Sequence, residues 1–341
     1  MKWSSIVAII LLPAFITGCA KQAMDGATAI EPTPAARMEP TASVGGVAPC
    51  VRLDAAGIVS GFNDVSNIHI SCTQEGFPLF YERQENGIRI TVAARNEIGT
   101  ASESWTAKRT NLVGDVAMGE ESLRLCGILP LAFEELITLG LSAEGETYLL
   151  QTTESGAHKA PVKTMMPPGW NGEPPRLLSD EKRNAVIVYE DFAKGNIHAF
   201  RYTYNAEDDN KLNTLIDHYS FSLPGALLSS IGVDGGNFLY HGRGGGGEHI
   251  GCVDMGTGGD VWRVDLEEPA LSTWYDFHEG NAYACTSQGI YAVTGAGEMK
   301  RILSFEQCGL PPLDAGQAQL MYRNGDAFVF TGDAVRIFRC R

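Results

Sequence analysis

Short apolar runs, each opened by a turn residue, recur along the second half of the chain. Asn184-Ala-Val-Ile-Val-Tyr189, Asn237-Phe-Leu-Tyr240, Asn281-Ala-Tyr-Ala-Cys285 and Asp326-Ala-Phe-Val-Phe330 begin 53, 44 and 45 residues apart. Their β-branched and aromatic content, bounded by Gly and Asn, predicts strands rather than helices. A second strand is expected in each unit, at Gly195–Phe200, Gly259–Val264, Gly289–Val293 and Gly332–Ile337, and a third at Met299–Phe305 after the turn Thr294-Gly-Ala-Gly297. Strand, tight turn and strand in succession describe antiparallel hairpins. Upstream, Asn86-Gly87 before Ile88–Val92 predicts a further hairpin, and Gly145 precedes Tyr148–Leu150.

A repeat of this length built from antiparallel hairpins makes the fold class all-β, and over residues 50–341 the chain resembles a β-propeller. The resemblance is architectural, since no WD or kelch signature is present; blades of about 45 residues imply six or seven of them. An alternative makes residues 50–160 an Ig-like sandwich ahead of a smaller C-terminal propeller, suggested by Ala93–Gly99 and the span from Cys72 to Cys126.

The first residues have a different pattern. Lys2 precedes an apolar run from Ile6 to Ile16, broken only by Pro13, which is too short to span a bilayer and fits a signal peptide over residues 1–18. Ile16-Thr17-Gly18-Cys19 resembles the bacterial lipobox. That resemblance implies cleavage before Cys19, lipid on its thiol, and a protein held on a membrane facing the periplasm. Ala20 stands where an inner-membrane retention Asp would stand, which favours the outer membrane, while Lys21 one place later is read as a retention signal in some bacteria, so both membranes stay open. Residues 19–49, with Glu31-Pro32-Thr33-Pro34 and Glu39-Pro40-Thr41, are too poor in large apolar groups to order themselves and form a flexible tether.

Composition narrows the partners. The formal net charge is −15, and loss of residues 1–18 removes only Lys2, leaving −16. Nucleic acid is disfavoured as a partner, and attachment to anionic lipid falls to the acyl chains. Seven cysteines follow Cys19, and in an exported protein disulfides are expected, with Cys252–Cys285 and Cys308–Cys340 as candidate pairs. No spacing groups Cys or His into a zinc site, so no metal and no cofactor is expected.

One irregularity stands out. From the opening residue of the first strand to the core of the second is 9 residues in the last two units and 13 in the Asn184 unit, but 24 in the Asn237 unit. The surplus contains Arg243, Gly244, Gly245, Gly246, Gly247, Glu248 and His249, the candidate binding loop. Consecutive glycines let backbone N–H groups approach an anion, with Arg243 beside them. No G-x-S-x-G, S-x-x-K or H-E-x-x-H motif occurs, and no catalytic residue is assigned. The expected function is a lipid-anchored, non-enzymatic scaffold of the cell envelope that binds another protein. Two alternatives are an immunity lipoprotein that neutralises a secreted antibacterial toxin in the periplasm, and an envelope enzyme acting on glycan or lipid.

Overall fold

Adjacent hairpins stack into sheets along the whole of residues 46–341, the unit to which every described element belongs. The computed structural model describes strand backbone from Val51 to Ser122 and, with their side chains, most residues from Leu123 to Arg339. Residues 1–50 lie outside the described residues, and with them the signal peptide, Cys19 and the tether; so do chiefly 54–67, 73–77, 97–103, 154–160, 192–194, 204–213 and 314–317.

The described strands are β1 (Val51–Leu53), β2 (Ile68–Cys72), β3 (Pro78–Gln84), β4 (Gly87–Asn96) and β5 (Ser104–Gly114), then a small hairpin of β6 (Ala117–Met118) and β7 (Glu121–Ser122). They continue as β8 (Arg124–Ala132), β9 (Glu135–Leu141), β10 (Thr147–Thr153), β11 (Val162–Lys163), β12 (Arg176–Ser179), β13 (Ala185–Asp191), β14 (Asn196–Thr203) and β15 (Thr214–Ser222). The third group is β16 (Ala226–Asp234), β17 (Asn237–Gly244), β18 (Gly247–Asp254), β19 (Asp260–Asp265), β20 (Ala270–Asp276), β21 (Asn281–Thr286), β22 (Gly289–Val293) and β23 (Met299–Ser304). The last strands are β24 (Ala318–Arg323), β25 (Asp326–Thr331) and β26 (Ala334–Arg339).

The protein is all-β. Among the described residues there are six four-stranded antiparallel sheets, five of them simple meanders: β2–β5, β8–β11, β12–β15, β16–β19 and β20–β23. The sixth has the order β1-β26-β25-β24, so a strand from the start of the unit pairs with three from its end, Val51 opposite Arg339 and Leu53 opposite Ile337. Leading strands of consecutive sheets are neighbours: β2 lies beside β8, β8 beside β12, β12 beside β16, β16 beside β20, β20 beside β24, and β24 beside β2. Over residues 68–163 the strands pair in sequence order, as they do further on. An Ig-like sandwich would deal consecutive strands between two sheets in a Greek key, so that alternative does not describe this segment.

Position within a sheet sets the sequence pattern of each strand. Second and third strands lie between neighbouring sheets, and some of them are continuous apolar runs, as in Ala185–Tyr189, where every residue is buried. The trailing strand β19 alternates exposed and half-buried positions. Each core lies between two consecutive sheets: Val186, Val188 and Ile197 of one pack on Phe238, Tyr240 and Val253 of the next. The following layer joins Leu239, Ile250 and Cys252 to Tyr275, Ala282 and Ala284.

That layering corrects one expected disulfide. Cys252 packs on the face of β21 that carries Ala282 and Ala284. Cys285, one residue further, points to the opposite face, towards Leu320 and Phe338. Successive strand side chains alternate faces, so the β20–β23 sheet separates the two sulfurs, and both are buried free thiols. Burial pushes each thiol up, to about 12. In the other candidate pair, Cys308 is half-buried in the 3-10 turn Glu306–Cys308, while Cys340 lies outside the described residues.

Four trailing strands share a β-bulge. The pairing register skips Lys108 in β5, Ile216 in β15, Val261 in β19 and Ile302 in β23. A bulge reverses the in–out alternation and adds twist. Ile216 and Val261 are accordingly two of the few large apolar side chains exposed among the described residues. Polar bonds at the turns between first and second strands join neighbouring sheets: Gly235 N–H donates to Glu181 Oε2 at 2.8 Å, and Arg323 Nη1 donates to Asp276 Oδ1 at 2.9 Å.

Candidate functional site

The Gly-rich surplus is a hairpin, and its glycines have local causes. Arg243 and Gly244 end β17, Glu248 and His249 lie near the start of β18, and Gly244 pairs with Gly247. Gly245 and Gly246 are the two turn residues, both at positive φ (66° and 103°), the conformation a two-residue hairpin turn demands and glycine supplies without strain. Deeper in the hairpin, Gly242 pairs with His249 and Gly251 with Tyr240. A Cβ on Gly251 would come within 2.5 Å of the Tyr240 ring, and one on Gly242 within 2.8 Å of His249 Nε2. Each glycine is therefore covered by the ring opposite it, a cross-strand arrangement that stabilises glycine within a sheet. Gly251→Ala overpacks this interface and is expected to destabilise the fold by about 2 kcal/mol, read as a lower urea midpoint at unchanged slope.

Alternation divides the candidate residues between two faces. Leu239, His241 and Arg243 share one face with Glu248, Ile250 and Cys252; Tyr240 and Gly242 share the other with His249 and Gly251. The structure brings Arg243 and Glu248 together and does not bring His249 to them. Glu248, 9% exposed, is bound on both oxygens: Arg243 Nη2 donates to Oε1 at 2.7 Å, while Oε2 lies 2.9 Å from His241 Nε2 and accepts the Ala270 N–H at 3.0 Å. Ala270 opens the next sheet, and Leu266 N–H donates to the Glu248 carbonyl at 2.8 Å, so this residue pins the 265–270 connector to the hairpin. Burial opposes ionisation of Glu248, but the bonds from Arg243, His241 and Ala270 outweigh it and hold its pKa below the ordinary value. Burial lowers the pKa of His241, countered in part by Glu248.

On the second face His249 is fully buried, edge-on to the Tyr240 ring at 5.6 Å, and neither ring nitrogen meets a hydrogen-bond partner among the described residues. Burial, aided by the Arg263 charge, pushes its pKa down to about 4, while burial raises that of Tyr240 to about 12. His278 follows β20, and its N–H donates to Asp276 Oδ1 at 2.9 Å. His241, His249 and His278 do not converge, and no group of three metal-binding side chains occurs among the described residues.

Charge matching extends along the connector. Arg263 donates to the Gly244 carbonyl at 3.0 Å and lies 3.3 Å from Asp265. Arg301 donates through Nε to Tyr291 Oη at 2.9 Å and lies 3.7 Å from Glu268, whose other oxygen accepts Ser287 Oγ at 2.8 Å. Each arginine is matched to a carboxylate, which leaves little free positive charge for an isolated anion. What the arrangement offers is a rim of fixed charges, with the Arg243 side chain 63% exposed on a backbone locked by Glu248. Sequence reasoning considered His241 only as a metal ligand, with His249 and His278, and missed its pairing with Glu248; it also missed Arg263 and the Ala270 N–H, and the alternation Leu239-x-His241-x-Arg243 is the signal that places His241 beside Glu248. Glu248→Ala leaves these donors without an acceptor and is expected to lower stability by about 2 kcal/mol, measurable by denaturant unfolding.

Among known proteins, no family model matches this chain and no curated protein matches it.

Proposed function

We propose that the chain is a lipid-anchored β-propeller of six blades that binds another protein of the cell envelope through the Arg243–Glu248 hairpin and the 265–270 connector. The cycle of neighbouring leading strands and the completion of the sixth sheet by β1 support the architecture: a ring closed by pairing its first strand with its last. The protein-binding role rests on one observation, the exposed guanidinium of Arg243 held on a hairpin that Glu248 ties to the next sheet. Pre-organised charged groups of this kind lose little freedom on docking and set specificity for a partner of complementary charge. Glu248 itself is committed to three donors, which suits a structural anion better than a proton donor. Lipid on Cys19 and the tether of residues 19–49 would hold the domain on the periplasmic side of a membrane, the outer one by the residue after the cysteine.

The test is affinity capture of the lipidated protein from envelope extract, wild type against Arg243→Glu, with Cys19→Ser followed by membrane fractionation. The expected result is a stoichiometric protein retained by the wild type and lost by Arg243→Glu at unchanged Tm, and release of Cys19→Ser from the membrane fraction. Equal capture by both forms would move the interface elsewhere, and a Cys19→Ser protein that stays on the membrane would overturn the anchor.

A further inference from the structure

We infer that Cys50 and Cys340 pair in a disulfide that staples the last sheet shut, at the junction where the start of the domain meets its end. β1 and β26 pair in unbroken register, Val51 opposite Arg339, Arg52 opposite Phe338 and Leu53 opposite Ile337. Cys50 and Cys340 lie just outside the described residues, and each adjoins a described strand end: Cys50 precedes Val51, and Cys340 follows Arg339. The same register carried one residue further sets the two cysteines directly opposite. Residues opposite one another in an antiparallel pair have Cα atoms about 4.5 or 5.5 Å apart, and a disulfide spans about 4.4–6.8 Å, so either kind of pair can be bridged without moving the backbone. The described thiols offer no such match. Cys126 and Cys252 pack in layers that do not include β26. Cys285 and Cys308 come from the β20–β23 sheet and the turn after it, stacked against β26. Stacked sheets lie about 10 Å apart, beyond the Cα limit of about 7 Å for a disulfide.

The inference rests on the proposed export to the periplasm for its oxidant, an acceptor disulfide of the dithiol oxidase class. The thiolate of one cysteine attacks that disulfide, and the second thiolate displaces the acceptor. One S–S bond forms in the chain, one breaks in the acceptor, and the acceptor leaves as a dithiol carrying two electrons and two protons. The bond closes nearly the whole domain into one covalent loop, and a loop of this length removes much entropy from the unfolded chain. β1 has only three residues and is the strand that the tether enters. With the bond in place, any pull from the lipid anchor passes to β26 instead of peeling β1 away.

The test is mass spectrometry, without reduction, of the full chain alkylated during extraction of the envelope into detergent. The expected result is a single species joining the tryptic peptides that carry Cys50 and Cys340, separated by reductant, with Cys252 and Cys285 recovered as thiols. Reductant is expected to lower the Tm of the wild type and of Cys308→Ser by about 8 °C and to leave that of Cys50→Ser unchanged. In parallel, the purified chain is reduced and then reoxidised with glutathione disulfide, which supplies the acceptor without the cell. A chain that is reduced in the extract yet links Cys50 to Cys340 in glutathione would leave the pairing standing and refute the envelope location. Cys340 linked to Cys308, or Cys50 and Cys340 both recovered as thiols after glutathione, would overturn the pairing.

Discussion

A chain beginning at residue 54, without β1, is expected to unfold about 10 °C below one beginning at residue 46. β1 is the outer neighbour of β26 from Ile337 to Arg339, and both Ile337 and Phe338 are fully buried. Its removal leaves that edge of β26 without backbone partners, at about 1 kcal/mol for each bond lost, and uncovers apolar surface next to Phe338. Together these amount to about 4–5 kcal/mol, and a domain of this size loses about 2 °C for each kcal/mol. The residues paired across this junction are 284 to 288 apart in sequence, so closure is a late, entropically unfavourable step, and refolding of the truncated chain is expected to lack the slowest phase. A synthetic peptide of residues 46–56 added to the truncated chain should restore part of the Tm. Equal Tm values for the two chains would mean that β1 does not close the last sheet.

Acid is expected to destabilise the fold by about 3 kcal/mol between pH 7 and pH 4 through His249 alone. In the unfolded chain this imidazole takes up a proton near its ordinary pKa of 6.5, while in the fold it stays neutral down to about 4. The unfolded state therefore binds more protons across that window, and stability falls steadily as pH drops through it, flattening below 4. Around the ring stand Arg263 and Asp265 on β19 and His241 on β17, with Arg263 and His241 opposing its protonation and Asp265 favouring it. His241, also lowered, adds to the loss in the same direction. Glu248 acts separately: its stabilising charge is lost only as pH falls through the lowered carboxylate range. Urea unfolding of His249→Phe should show a clearly shallower pH slope between 6.5 and 4 than the wild type. An unchanged slope would place the acid sensitivity elsewhere.

The all-β class and the repeat were legible because doubly covered strands such as Ala185–Tyr189 and Asn281–Cys285 are continuous apolar runs flanked by turn residues. The strands that escaped notice carry other signals. β17 and β18 extend through His241-Gly-Arg243 and Glu248-His249, where polar side chains are buried in pairs and glycines lie under aromatic rings, so hydropathy reads the stretch as a loop. Gly259–Val264 then took the place of a second strand, although Asp260–Asp265 is the fourth of its sheet. Leading strands such as β16 and β20 are half-buried and bulged, and show neither a clean alternation nor an apolar run. Of the candidate site, Arg243 and Glu248 could be picked from sequence because they flank a glycine turn. Their separation from His249 needed the register, since a single residue of offset sends a side chain into the other interface. The Cys252–Cys285 pairing failed for the same reason of parity.

The recurring bulge in the trailing strands has a bearing on how many copies of the protein can coexist at high density. Each of these strands ends a sheet and offers backbone groups to any passing strand, the usual route to edge-to-edge aggregation. An extra residue at Lys108, Ile216, Val261 and Ile302 breaks the straight, evenly spaced row that such pairing needs. Apolar side chains exposed at two of these points, which on their own would invite association, thus sit on edges whose geometry rejects it. Crowding is resisted by shape as well as by the acidic surface.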